Sequence, residues 1–313
     1  QVWSCFMNFI RNALRYKTQL KNGILCQEIR RDKTIEVTSF YKTAPFPNFE
    51  DFQSKRDLAE VVEKNIFLKD LKDAIGFGKT FLEVGSGTSQ LSLALAINTN
   101  NLIVALDPTK ESLKLGVNFA NKNNINGVMF FNADIFDNPC EEGFFDYVWC
   151  SGVLHHTADT KKGFEIISKW PKPNGLIIIG LYNTIGRLRT NFRQMIYKLS
   201  GKSKFGEKLV RLMDPHLRKN ISKEKSFAWF RDQYEHPVER KHSLDEVINW
   251  FDENNIKFLG SIPSATFGGS FKKINEMDGN RGTWFERICA QIMMLFSNLG
   301  GEGGLFIVIG QRQ

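Results

Sequence analysis

Short apolar runs alternate with amphipathic stretches from Thr80 onward. "TFLEVG", "NLIVALD", "GVMFFNAD", "FFDYVWCSG" and "GLIIIGLYN" are dense in β-branched and aromatic residues and predict buried strands. Between them, "SQLSLALAIN", "TKESLKLGVNFANKNN" and "TKKGFEIISKW" carry helical spacing, the first opened by Ser or Thr caps. Strands and helices in that alternation predict a parallel sheet covered on both faces, a doubly wound α/β domain. The alternation lapses from Thr184 to His242, where basic and aromatic helices and loops are expected. It resumes with "SLDEVINWFDENN", capped by Ser243, then "IKFLGSIPS", the helix "TWFERICAQIMMLFSNL" and a closing strand "GLFIVIGQR". Residues 1–75 read as mostly helical: "SCFMNFIRNALRY" and "SKRDLAEVVEKNIFLKDLKDAI" flank "SFYKTAPFPNFEDF", whose two prolines exclude a long regular element. The pattern thus divides the chain into an N-terminal segment (1–75), a core (76–183 and 243–313) and an inserted cap (184–242).

Length and composition set wide bounds. The 313 residues are 42% hydrophobic, enough for a sizeable core. No apolar run reaches membrane-spanning length, and the first residues lack a basic stretch followed by an apolar one, so no signal peptide is expected. Five scattered cysteines, Cys5, Cys26, Cys140, Cys150 and Cys289, lack metal-site spacing. Free thiols in a reducing cytoplasm, and no metal, are the expectation.

The net charge of +8 is localised. Thr184–His242 holds fifteen Lys and Arg against six Asp and Glu, so the insertion carries the whole excess. A basic segment interleaved with aromatics fits a solvated helical face, a lid over an anionic substrate, an RNA contact or an interfacial helix on a membrane. "GRLRT" and "ERKH" could grip a carboxylate or phosphate through bidentate arginine contacts. No RNA-binding module is visible, which places nucleic acid below a small molecule. The composition of "RTNFRQMIYKLSGKSK" keeps peripheral membrane contact open.

The sharpest chemistry lies in "FLEVGSGTSQ". A glycine turn between a strand and its helix lets a ligand approach the backbone. A dinucleotide fingerprint wants a third glycine at the sixth place, which is Gln90 here, and Glu83 would oppose a pyrophosphate. An amine and a sulfonium suit that carboxylate better. Asp107 follows the second strand, where a carboxylate can accept ribose hydroxyls. Asp134 follows the third, where it can meet an adenine amino group.

With these residues in place, Thr80 to about Asn183 resembles a class I S-adenosylmethionine (SAM)-dependent methyltransferase of the type 11 group. That resemblance implies a Rossmann-like fold, SAM as cofactor and S-adenosylhomocysteine as product. It implies a cofactor site of Glu83, Gly85, Ser86, Gly87, Asp107, Pro108, Asp134, Ile135, Ser151 and Gly152. One departure is Ser89, which stands where the family has a third glycine; a slightly tighter pocket is expected there.

Methyl transfer is an in-line displacement, so alignment dominates and a base is needed only if the acceptor carries a proton. His155, His156, Tyr41, Tyr182 and His236 are the catalytic candidates near the strand tips, N-terminal loop and cap. Four of them also have a structural reading: a hydrogen-bonded loop for the paired histidines, a packing plug for Tyr41, a surface or capping role for His236. The sequence predicts a cytoplasmic methyltransferase acting on a small, anionic metabolite. Rivals are an RNA or lipid methyltransferase docking through the cap, or a SAM-binding protein without turnover.

Overall fold

A computed structural model describes residues 12–16, 18–42, 45, 49, 52–219, 221–296 and 303–313. The expected first helix falls almost wholly outside these residues, as do Cys5 and much of the Pro-Phe stretch. Nine strands form one sheet: β1 Gln19–Lys21, β2 Ile24–Cys26, β3 Thr80–Val84, β4 Leu102–Leu106, β5 Val128–Asn132, β6 Phe145–Ser151, β7 Pro171–Tyr182, β8 Ile256–Ile262 and β9 Leu305–Arg312. Their order is β1-β2-β5-β4-β3-β6-β7-β9-β8. Strands β2 to β7 are parallel to one another, β1 is antiparallel to β2, and β9 runs antiparallel between β7 and β8. The chain reverses direction across the sheet at β3, so the mouths of β3, β4 and β6 open a crevice at their C-terminal ends.

The strand pattern explains the two-sided core. Along β3, Leu82 and Val84 point to one face with Val104, Leu106 and Phe131, while Phe81 points to the other with Ile103, Ala105 and Phe130. Both layers are buried, as runs without polar alternation require. The helices on these faces include α4 Gln90–Ala96, α5 Lys110–Asn123, α6 Thr160–Ile167 and α10 Leu244–Glu253. Asp146 at the opposite end of the sheet accepts from Thr80 N and Oγ1 and meets Lys172, which ties β3, β6 and β7 together away from the crevice.

Two departures from the sequence reading concern the N-terminal segment. The stretch read as helical contains the hairpin β1–β2, which extends the sheet beside β5. Its turn is Asn22-Gly23, both with positive φ (53° and 78°), the geometry of a tight two-residue hairpin. The helix α1, Asp32–Lys42, takes in Ser39–Lys42, the start of the aromatic stretch. Helices α2 Lys55–Lys64 and α3 Ile66–Ile75 follow, α2 opened by a Ser54/Asp57 capping box.

Residues 184–242 hold three helices, α7 Leu188–Leu199, α8 Lys204–Met213 and α9 Lys223–Phe230, and a π-helical turn, Arg231–Glu235. Tyr197, Val210, Phe230 and Tyr234 form a small separate core there. The last helix, α11, spans Trp284–Met293.

Candidate functional site

The loop after β3 turns back on itself. Gly85 and Gly87 have φ of +68° and +53°, and Ser86 N donates to Leu106 O at 2.9 Å. A side chain at Gly85 would lie 2.3 Å from Val153, so this glycine is sterically required. Ser89, the helix N-cap, also lies in the left-handed region, at φ +65°, and makes no side-chain cap. The expected Ser cap is therefore absent. Glu83 takes its place: its Oε2 accepts from Ser92 N at 3.0 Å and from Ser92 Oγ at 2.5 Å. A carboxylate thus sits on the helix N-terminus where a pyrophosphate would otherwise bind. Burial raises the Glu83 carboxyl to about 7, with Asp107 adding to the rise and the Ser92 bonds opposing it.

The Ser89 side chain does not narrow the cavity. It is fully buried, its Oγ is 3.1 Å from Ser86 Oγ, and its Cβ faces Gly116 of α5. The cost of serine falls on the backbone and not on the pocket, contrary to expectation.

Asp107 follows β4. Its Oδ2 accepts from Gly87 N at 2.8 Å and its Oδ1 from Thr109 N at 2.7 Å. Burial raises it to about 6 against these bonds. The Thr109 side chain also hydrogen-bonds this carboxylate. Asp134 accepts from Phe136 N at 3.0 Å and from Thr34 Oγ1 of α1 at 2.6 Å, so the N-terminal segment closes over it.

These residues border one cavity of about 420 Å³, a volume suited to a cofactor-sized ligand. All ten cofactor-site candidates line it: Glu83, Gly85, Ser86, Gly87, Asp107, Pro108, Asp134, Ile135, Ser151 and Gly152. Of the five catalytic candidates, Tyr41, His156 and Tyr182 line it; His155 and His236 do not.

The histidines differ by environment. His155 is fully buried against the Tyr182 ring, 4.0 Å between centroids, with neither ring nitrogen hydrogen-bonded. Burial and neighbouring positive groups hold its pKa well below the usual value. A neutral packing residue fits these facts. His236 stacks on His156 at 3.8 Å, and its Nδ1 accepts from Val238 N. Burial pushes its pKa down to about 2. His156 Nδ1 lies 2.7 Å from Val238 O, a carbonyl that can only accept, so Nδ1 carries the proton and Nε2 is the bare nitrogen of the neutral ring.

Sequence reasoning missed Asp232 and Gln233 in the π-helical turn. Tyr41 Oη donates to Asp232 Oδ1 at 2.7 Å, and Asp232 lines the cavity. Burial and Asp232 together raise the Tyr41 pKa well above its usual value, so the phenol stays protonated. Gln233 donates from Nε2 to Tyr182 Oη and Asp232 Oδ2, both at 2.9 Å, and accepts from Arg187 Nη1 at 2.6 Å. No local sequence signal marks a π turn, though such turns recur at functional sites.

The arginine grip expected of "GRLRT" and "ERKH" is not formed in the cavity. Arg187 is fully buried, pairs with Glu239 at 2.6 Å and lies over the Tyr182 ring at 3.7 Å. Arg240 bonds Ala158 O. The cavity border instead carries Glu83, Asp107, Asp134 and Asp232 against Lys33.

Comparison with known proteins agrees with this geometry. A family model described as "Methyltransferase domain" matches residues 76–230. An uncharacterised protein of Synechococcus is 26% identical over 60% of this chain and 51% of its own length. The demethylmenaquinone methyltransferase of Oceanobacillus iheyensis is 24% identical over 61% of this chain and 77% of its own. Among solved structures, PKMT2 from Rickettsia typhi in complex with AdoHcy superposes with TM-score 0.53 at 17% identity, covering 75% of this chain and 49% of that one. The chain spans about half the length of the first of these relatives, in sequence and in structure. Sheet order, glycine loop and acidic strand ends agree with the family match: residues 76–230, about half of the chain, form a methyltransferase domain on a Rossmann-like sheet.

Proposed function

We propose that this protein transfers a methyl group from SAM to a small-molecule acceptor in the cytoplasm. The observation that carries the reading is the lining of the cavity beside the glycine loop, where three carboxylates stand at three successive strand ends. In this reading Asp107 accepts the ribose hydroxyls and Asp134 the adenine amino group. Glu83 gives its second oxygen to the methionine amino end. Carboxylates there favour a cationic cofactor and disfavour a diphosphate.

The acceptor then lies among Tyr41, His156, Tyr182 and Asp232, beyond Ser151 and Gly152. Neutral His156 is suited to take a proton from an attacking hydroxyl or amine through Nε2. Tyr41, held by Asp232, donates or accepts no proton at neutral pH and positions the acceptor. His155 and His236 act as packing around His156. An anionic acceptor, as anticipated from net charge, would meet Lys33 at the cavity border and not Arg187, which is already paired with Glu239.

The test is incubation of the protein with methyl-labelled SAM and fractionated cell metabolites, followed by mass spectrometry. Methylated product with stoichiometric S-adenosylhomocysteine is expected. SAM binding without turnover on any fraction would favour a sensor instead.

A further inference from the structure

The insertion presents a surface that the methyl-transfer reading does not use. Helices α7 and α8 form a helical hairpin whose inner face is the small core around Tyr197 and Val210. The outer face of α7 carries Leu188, Phe192, Met195 and Leu199, spaced by four, three and four residues, and so on one stripe. All four are exposed, Leu199 at 79%. Phe205 (75%) and Leu212 (61%) on α8 are equally open. Large side chains do not stand in water in a row without a purpose.

The charge beside them is one-sided. Residues 188–213 contain seven Lys and Arg and a single acid, Glu207, which is bound to Arg211. Lys198, Lys202, Lys204 and Lys208 are exposed next to the apolar residues. An apolar stripe with phenylalanine and leucine, bordered by lysines, matches a helix lying in the headgroup region of an anionic bilayer. A protein partner would need an acidic apolar groove, and an RNA would leave six large apolar side chains in water. No helix among the described residues is long and apolar enough to cross a membrane.

We propose that the α7–α8 hairpin docks the protein onto an anionic lipid surface, its apolar stripe entering the interface and its lysines facing the headgroups. The proposal stands independently of the methyl-transfer reading. It is tested by flotation of the full chain with phosphatidylcholine vesicles and with phosphatidylcholine/phosphatidylglycerol vesicles. Binding to the anionic vesicles alone is expected, weakening at least about tenfold as salt rises through the range that screens surface charge. Leu199→Glu with Phe205→Glu should abolish it, and Lys198→Gln with Lys204→Gln and Lys208→Gln should weaken it. Both variants should keep their circular dichroism and SAM affinity. Equal binding to neutral vesicles, no binding to either, or binding that survives the double glutamate variant would overturn the proposal. So would a dimer of the wild type that the glutamates dissociate, or preferential binding of RNA in competition with the vesicles.

Discussion

Replacing Glu83 with glutamine separates stability from cofactor affinity. In the unfolded chain the carboxyl ionises near its ordinary value of 4.5, and in the fold at about 7. Between those values the native state holds a proton that the unfolded chain has lost, so stability falls as pH rises through this window. At about 1.4 kcal/mol per pH unit, the loss approaches ~3 kcal/mol above pH 7. Glutamine keeps an oxygen for Ser92 N and Oγ and never ionises. The Glu83→Gln protein should therefore gain about 2–3 kcal/mol at pH 8 and almost nothing near pH 4. For a chain of this size that is a rise in Tm of about 5 °C at pH 8. SAM affinity should move the other way, weakening at least about tenfold, because the charge opposite the cationic end of the cofactor is gone. Thermal unfolding from pH 4 to 8 and titration calorimetry at pH 8 read the two effects. Parallel unfolding curves for wild type and variant at all pH values would refute the assignment of a buried, costly carboxylate. A variant less stable at pH 8 than at pH 4, relative to wild type, would refute it too.

Other substitutions probe the neighbouring parts. Ser89→Gly relieves a left-handed serine and should stabilise the apo protein by about 1 kcal/mol in denaturant unfolding, with SAM affinity unchanged because the side chain faces Gly116. Tyr41→Phe removes the donor to buried Asp232; turnover should fall while SAM affinity stays within about twofold, as read by kcat against calorimetric Kd. Arg187→Met leaves buried Glu239 with Lys241 and the Gln194 amide as its remaining partners and should cost about 3 kcal/mol in chemical denaturation, much of it recovered when Glu239→Gln is added.

The parallel core was legible in the sequence because its strands are short, apolar and separated by helices of clear period. The glycine loop and the carboxylates at the ends of β3, β4 and β5 were legible for the same reason: each sits at a fixed offset from a strand end. The β1–β2 hairpin was not found, although Asn22-Gly23 is a strong turn signal. Its strands are three residues long, and β1 is exposed throughout, so no hydrophobic alternation announces it. Asp232 and Gln233 escaped because a π turn in the cap has no periodic signature, and their meaning depends on Tyr41, 191 residues away in sequence. The place of Arg187 was hidden for a related reason. Composition counts Arg187 as a free cation, whereas the fold buries it against Glu239 and Tyr182. Ser89 likewise reads as an ordinary helix cap, and only its positive φ shows that Glu83 performs that task.

The central claim is that the cavity beside the glycine loop receives SAM through the carboxylate after β4. Titration calorimetry of SAM into the wild-type protein and into Asp107→Ala tests it most directly. Binding to the wild type, weakened at least about tenfold by the substitution, or about 1.4 kcal/mol, is the predicted result. Equal SAM affinity in the two proteins, or a nicotinamide dinucleotide binding in preference to SAM, would contradict it.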